Sequence, residues 1–179
     1  MEGWIALPHI LTRCFRQVGT KENLLISIVY GPPVTGERED FLQSIRNLSN
    51  MYQEKFWLLG GDFNTILNHS ENKGGIRRED PEIEQFRDLL IDIKLVYIPT
   101  VDGNFTWNNR RGETHQIASI LDRFIASEYL VRLDVYYEVA ILPTLTSYYW
   151  LIIIEIDIKE NPKNRPFRFE LFWLRIPHF

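Results

Sequence analysis

Asp62 and Asn64 are the two side chains whose types and spacing best suit chemistry on a phosphate. They follow the apolar run Phe56 to Leu59 and two glycines, in the segment Leu-Leu-Gly-Gly-Asp-Phe-Asn. Side chains two apart on an extended strand point the same way, so we expect the carboxylate and the amide to converge. A carboxylate that orients a water and an amide that holds a phosphate oxygen suit metal-assisted phosphodiester hydrolysis. The alternative is a strand that simply ends in a Gly-Asp turn.

Alternating strand and helix patterns surround this segment and predict a layered α/β domain. The β-rich run Leu24–Tyr30 predicts a buried strand, and Phe56–Asp62 predicts the next one. Between them, about Glu37 to Gln53 carries apolar residues on one helical face and acids near its start. Asp80-Pro81 predicts the N-cap and first residue of a second helix, with core residues Phe86, Leu89, Leu90 and Ile93. Short strands are predicted near Phe105–Trp107, Ile117–Ala126, Asp134–Leu142 and Trp150–Ile158.

Length and charge favour one globular domain without strong general attraction to nucleic acid. The chain has 179 residues, a net charge of −4 and a single cysteine, Cys14. The acidic balance means that any DNA contact needs local basic patches, for which Arg77-Arg78, Arg110-Arg111 and the Lys163/Arg165/Arg168 tail are candidates. One cysteine excludes a disulfide framework and is compatible with a reducing, intracellular compartment. We find no signal peptide, and the apolar stretch Trp150–Ile154 is too short for a membrane span.

Three other functional classes lack their sequence motifs. Gly31 and Gly36 have the glycine spacing of a P-loop, but Glu37-Arg38 stands where Lys-Ser/Thr is required. The four histidines show no close pairing suited to zinc. No Gly-x-Ser-x-Gly elbow supports a serine hydrolase.

Several short motifs occur in an order that resembles the endonuclease/exonuclease/phosphatase superfamily. More narrowly, they resemble the endonuclease domain of plant LINE-type (non-LTR) retrotransposons, over about residues 24–179. The motifs are Ile28-Val29-Tyr30-Gly31-Pro32-Pro33, Trp57-Leu58-Leu59-Gly60-Gly61-Asp62-Phe63-Asn64, Gly74-Gly75, Asn104-Phe105-Thr106-Trp107, Ser119-Ile120-Leu121-Asp122-Arg123-Phe124, and Pro166-Phe167-Arg168-Phe169-Glu170 with Trp173-Leu174.

The resemblance implies a fold and a division of the chain. The fold is a two-sheet β-sandwich flanked by helices (DNase I-like), here N-terminally truncated, because the strands that carry the family's Asn and metal-binding Glu find no match before Leu24. Residues 1–160 would form the partial domain. Residues 161–179 would form a linker segment that in the family leads towards a reverse transcriptase. The apolar residues before position 20 would then either cover the surface left by the missing strands or be a remnant of the upstream region of the family.

The resemblance also assigns roles to individual residues. Asp62 would activate the attacking water and is a candidate metal ligand, and Asn64 would orient the water or the phosphate. Tyr30 would lie beside the phosphate as a hydrogen-bond donor or a charge stabiliser. Asp122 would be structural, fixing a turn through backbone bonds. Asp134 would approach the site from the following strand, but it aligns only loosely with the family's residues. The implied cofactor is Mg²⁺, held by carboxylates and phosphate oxygens, and the implied partner is DNA.

The family's Ser-Asp-His motif is replaced here. The corresponding stretch ends in Ser147-Tyr148-Tyr149, so two tyrosines stand where Asp and His are expected. We therefore expect a degenerate copy whose ancestral Mg²⁺-dependent hydrolysis of DNA is lost, with the Asp62/Asn64 corner facing Tyr148 and Tyr149. The alternatives are a working nuclease or phosphodiesterase that uses substitute groups, and a non-catalytic nucleic-acid or protein interaction domain.

Overall fold

A six-stranded β-sheet, covered by helices on one face and by a β-hairpin on part of the other, forms the centre of the protein. The computed structural model describes residues 3–16, 23–52, 56–75, 81–101, 105–112, 115–132, 136–142, 144 and 147–157. The strands are β1 (Trp4–Leu7), β2 (Ile10–Arg16), β3 (Asn23–Tyr30), β4 (Phe56–Asp62), β5 (Asn72–Lys73), β6 (Leu95–Ile98), β7 (Trp107–Asn108), β8 (Ala118–Ser119), β9 (Asp122–Ser127), β10 (Tyr136–Leu142) and β11 (Leu151–Asp157). The helices are α1 (Arg38–Met51), α2 (Pro81–Asp92) and α3 (Glu128–Val131).

The large sheet has the strand order β1-β2-β3-β4-β9-β6. Strands β3 and β4 run parallel and are joined through α1, whereas the other neighbours in the sheet are antiparallel. The register sets Tyr30 beside Asp62, and Asp62 beside Asp122. Because directly paired residues project to the same face of a sheet, these three side chains share one face at one end of the strands.

Helices α1 and α2 cover the opposite face with the spacing that the sequence predicts. Their buried apolar residues that pack on Leu25, Val29, Trp57 and Leu59 of the sheet are Phe41, Ile45 and Leu48 in α1 and Phe86, Leu89 and Leu90 in α2. Ile93, just beyond α2, is half-buried against the same cluster. The predicted amphipathic faces are therefore confirmed as core faces.

A second sheet packs on the face that carries Asp62. Strands β10 and β11 form an antiparallel hairpin, and their Val139, Tyr137, Ile154 and Ile156 contact Leu58, Phe124 and Ala126 of the large sheet. A small three-stranded sheet, β5-β8-β7, lies at the end of this layer and is joined to the hairpin side by a bridge between Trp107 and Tyr149. The arrangement is the predicted pair of sheets flanked by helices.

Two parts of the predicted strand pattern need correction. The predicted single strand Ile117–Ala126 is divided into β8 and β9, because the backbone N–H groups of Leu121 and Asp122 both bond the Thr106 hydroxyl oxygen, at 2.9 Å each. At this point the chain passes from the small sheet to the large one. Strands β1 and β2, which the sequence analysis left unassigned, extend the large sheet, and so does β6.

Some predictions fall outside the described residues. These include Asp80, Asp134, Arg77-Arg78, and everything after Asp157, with the proposed boundary at residue 160 and the basic tail. Among the described residues, no helix combines the length and apolar character needed to cross a membrane.

Candidate functional site

Asp62 ends β4 and is buried, with 7% of its surface exposed. Its Oδ1 accepts a hydrogen bond of 2.7 Å from the backbone N–H of Asn64, and its carboxylate also interacts with the Tyr149 hydroxyl. Its Oδ2 is buried and has no hydrogen-bond partner among the described residues. Burial raises the pKa of Asp62, although the Asn64 N–H, the Tyr149 hydroxyl and the Arg123 charge act in the opposite direction.

Asp122 begins β9 directly opposite Asp62, so two carboxylates lie side by side. Its side chain bonds the Thr106 hydroxyl, and its Oδ2 is a second buried oxygen without a partner among the described residues. Burial, followed by the negative charge of Asp62, raises the pKa of Asp122 to about 6. The purely structural role expected for Asp122 is therefore incomplete: besides its turn contacts, it belongs to the candidate site.

Tyr149 reaches these carboxylates from the segment that follows β10. Its backbone is held by three contacts: the bridge to Trp107, a 3.1 Å bond from its N–H to the Ser147 hydroxyl, and a 2.6 Å bond from the Thr144 hydroxyl to its carbonyl. Burial, and then the charges of Asp62 and Asp122, raise the pKa of Tyr149 to about 12. The structure thus places Tyr149 against the Asp62 corner, in the position the sequence analysis expected.

Tyr148 and Tyr30 lie at the rim of the site. Tyr148 is 56% exposed and has the Arg110 guanidinium 5.8 Å from its ring centre. Arg110 also donates hydrogen bonds to the carbonyl groups of Thr144 and Ser147, so it holds the segment that carries both tyrosines. Tyr30 is 59% exposed and lies next to Asp62 in the sheet, close enough to Tyr149 to contribute to its raised pKa.

Asn64 reaches the site in a different way from the one expected. Strand β4 ends at Asp62, and Asn64 has a φ of 50°, in the left-handed region that asparagine tolerates. Its amide nitrogen donates a 2.6 Å hydrogen bond to the Gly31 carbonyl, while Arg38 holds its backbone carbonyl at 3.0 Å. The same-face argument from strand alternation was therefore wrong. The side-chain amide of Asn64 links its own loop to the loop that contains Gly31. The backbone N–H of Asn64, not its side chain, bonds Asp62.

Arg123 supports the site from the opposite face of the sheet, and sequence reasoning did not single it out. It is 1% exposed, and its Nη2 donates to the Glu71 carboxylate at 3.1 Å and to the carbonyls of Thr65 and Ile120 at 2.9 and 2.6 Å. Its guanidinium lies 5.5 Å from the centre of the Tyr97 ring. The positive charge of Arg123, on this face of β9, lowers the pKa of Asp62 and of Asp122 and so partly offsets the effect of burial. An arginine after Asp122 gives no sequence signal for this role, because the same residue type is common on surfaces.

The two unpartnered oxygens, Oδ2 of Asp62 and Oδ2 of Asp122, fit a hard divalent cation. Mg²⁺ prefers oxygen ligands and commonly takes only one or two carboxylates, keeping several waters. Among the residues that the structure describes, no cluster of three or more His, Cys, Asp or Glu side chains is arranged to hold a metal. Asp62 and Asp122 would thus supply two oxygen ligands, and water or a substrate would have to supply the others.

Comparison with known proteins identifies the fold. No protein-family model and no curated protein sequence matches the chain. Among solved structures, it is similar to the endonuclease domain of TRAS1, a telomere-specific non-LTR retrotransposon, with a TM-score of 0.68 and 18% identity over 88% of this chain and 68% of that chain. It is also similar to the 3′ phosphatase NExo from Neisseria, solved with a product DNA hairpin, with a TM-score of 0.58 and 15% identity over 88% of this chain and 70% of that chain.

A third match is TDP2 from Caenorhabditis elegans, with a TM-score of 0.50 and 14% identity over 83% of this chain and 45% of that chain. At these identities the matches establish the architecture, a large sheet and a second sheet flanked by helices. Two of these structural neighbours are an endonuclease domain and a 3′ phosphatase, and the chain has their fold, which is the predicted DNase I-like one.

Proposed function

We propose that this chain is a nuclease-type domain of retrotransposon origin that binds the phosphodiester backbone of DNA at the Asp62 corner and hydrolyses it very slowly. The observation that carries the proposal is the contact between the Tyr149 hydroxyl and the Asp62 carboxylate, with Asp122 beside it. The fold matches, one of them described as an endonuclease domain and another solved with a DNA product, support nucleic acid as the partner.

The retained residues suit binding and water orientation. Asp62 is a buried carboxylate at the end of β4, held by the Asn64 backbone N–H through Oδ1, and this position suits it to orient a water. Tyr30 is exposed beside it and can donate a hydrogen bond to a phosphate oxygen. Asp62 and Asp122 would hold Mg²⁺, and the ion would supply neutralising charge for the phosphate.

Tyr149 is the feature that we expect to limit the rate. With a pKa of about 12, its hydroxyl stays protonated at neutral pH, so it can donate a hydrogen bond but can neither accept a proton nor carry positive charge. An imidazole at this place could do both. The loss of one positioned acid or base typically costs about 10²–10⁴ in rate, and the proposed slow hydrolysis follows from that loss.

The test is a cleavage assay on nicked-circle and abasic-site DNA with Mg²⁺, using wild type, Tyr149→His and Asp62→Ala. The imidazole variant is expected to cleave at least about 10²-fold faster than wild type, because it restores a group of the missing type. Combining Asp62→Ala with Tyr149→His should abolish that gain in cleavage rate. Tyr129→His is the matched control, since Tyr129 is a partly exposed tyrosine in α3, beyond the end of β9 opposite Asp122, and it should cleave like wild type. Equal rates for wild type and Tyr149→His would contradict the proposal.

A second candidate is an active nuclease in which the Asp62–Asp122 pair replaces the missing acid and base. The raised pKa of Asp122, about 6, favours this alternative because a carboxyl that titrates near neutrality can exchange protons during turnover. Efficient wild-type cleavage that is lost in both Asp62→Ala and Asp122→Asn would support it.

A further inference from the structure

A solvent-open hollow of about 580 Å³ lies beside the small sheet, away from the two carboxylates. Its described lining includes two positively charged side chains and no acidic one. The lining residues are Lys73, Gly74, Gly75, Arg111, His115, Gln116 and Ile117. In a chain with a net charge of −4, the positive charges of Lys73 and Arg111 on the described part of the lining make the hollow a candidate for an anionic ligand.

The walls of the hollow are built by close backbone approach. Lys73 pairs with Ala118, and the chain then turns through Gly74 and Gly75, with φ of 78° and 74°. A Cβ on Gly74 would lie 2.1 Å from the Gln116 carbonyl oxygen, so only glycine allows the two walls to approach this closely.

Asn109 fixes the second wall. Its Oδ1 accepts hydrogen bonds from the N–H of Arg111 at 3.2 Å and of Ile117 at 3.0 Å, and its Nδ2 donates to the His115 carbonyl at 2.9 Å. One side chain therefore ties both ends of the loop together. The backbone of Arg111 is therefore held before any ligand arrives, which lowers the entropy cost of binding.

The hollow lies within reach of the Asp62 corner. Ala118, which pairs with the lining residue Lys73, is four residues before Asp122, and four residues span at most about 14 Å. Successive phosphates on one strand of a duplex rise about 3.4 Å each along the axis. A strand at the Asp62 corner can therefore place a phosphate in the hollow a few nucleotides away.

We propose that this hollow is a phosphate-binding subsite that anchors a nucleic-acid strand, with Lys73 and Arg111 as the residues that bind the phosphate. This subsite rests on the proposed function, and it would bind a phosphate of the DNA strand that Asp62 and Asp122 do not contact. Arginine suits this role because its planar fork can bind two phosphate oxygens at once.

The test measures binding of a fluorescein-labelled single-stranded DNA oligonucleotide by anisotropy in EDTA, so that neither cleavage nor Mg²⁺ contributes. Lys73→Gln and Arg111→Gln should each weaken binding about tenfold. Each should also lower the steepness of the salt dependence by about 0.7, the value for one phosphate contact on a single strand. Arg111→Lys keeps the charge and should keep the salt slope of wild type.

Arg16→Gln is the matched control, because Arg16 is exposed at the far end of β2, opposite the strand ends that carry Asp62. It should bind like wild type. All variants should keep the wild-type melting temperature, since Lys73 and Arg111 are exposed. Affinity and salt slope unchanged in the Lys73 and Arg111 variants would overturn the subsite. Displacement of the oligonucleotide by an equal molar concentration of inorganic phosphate would also overturn the subsite, because the hollow would then be a site for small anions.

The two proposals fail separately. If the oligonucleotide binds through the hollow but Tyr149→His gains no cleavage, the subsite stands and the proposed hydrolysis falls. If Tyr149→His cleaves DNA in an Asp62-dependent way while the Lys73 and Arg111 variants bind normally, the proposed hydrolysis stands and the subsite falls.

Discussion

Replacing Asp122 by asparagine is expected to stabilise the protein at neutral pH. Asp122 lies beside Asp62, and burial together with that neighbouring charge raises its pKa from 3.8 to about 6. A shift of about two pKa units, at about 1.36 kcal/mol each, corresponds to at most about 3 kcal/mol. A neutral amide of the same shape avoids the cost of the buried charge and can still bond the Thr106 hydroxyl.

The sign of the pH dependence follows from the raised pKa. The folded protein holds the Asp122 proton more tightly than the unfolded chain, so the resulting stabilisation is fully present below pH 3.8 and is lost as the pH rises through about 6. The asparagine variant lacks this contribution. We therefore expect the free energies of unfolding of the two proteins to converge near the low end of this window and to differ most above it.

Urea denaturation at a series of pH values measures this difference. The control is Asp88→Asn, because Asp88 is an exposed aspartate on α2, and its effect should be within about 0.5 kcal/mol at every pH. The reasoning is refuted if Asp122→Asn is less stable than wild type at pH 7, or if its difference from wild type does not change between pH 4 and pH 7.

Two further substitutions test how the site is supported. Arg123→Met leaves the Glu71 carboxylate largely buried without its partner, so we expect a loss of about 3–5 kcal/mol in urea denaturation; a loss below about 1 kcal/mol would contradict a buried ion pair. Gly61→Ala puts a Cβ 2.1 Å from the Val29 carbonyl oxygen at a φ of 141°, so we expect the melting temperature to fall by more than about 5 °C. Gly36→Ala, with nothing within 4 Å of its Cβ, should leave it nearly unchanged, and equal effects of the two would refute the steric argument.

Sequence patterns predicted the elements that carry strong periodicity. Strand β4 has the predicted bounds Phe56–Asp62, and α1 and α2 bury the predicted apolar faces. In these segments, local preference and burial point to the same structure, so the pattern is sufficient. Strands β1 and β2 went unassigned because residue type does not follow burial in them: Trp4 and Leu11 are exposed whereas Thr12 is buried, so apolar and polar residues do not alternate along the sequence.

The candidate site was predictable only in part. The motif order led to Asp62 and to the tyrosines that face it, and the structure brings Tyr149 to Asp62. Asp122 joins the site through the register of an antiparallel pair, which no local pattern specifies. Asn64 was misjudged because the strand stops two residues before it and the chain then enters a left-handed turn.

The most direct test of the site is a carboxyl NMR titration of wild type and Asp62→Asn. If Asp62 and Asp122 share one buried corner, one aspartate in wild type titrates near pH 6, and its pKa falls when the neighbouring charge is removed. If every aspartate in wild type titrates at its ordinary value, or if the raised pKa does not respond to Asp62→Asn, the two carboxylates are not neighbours and the account of the site is contradicted.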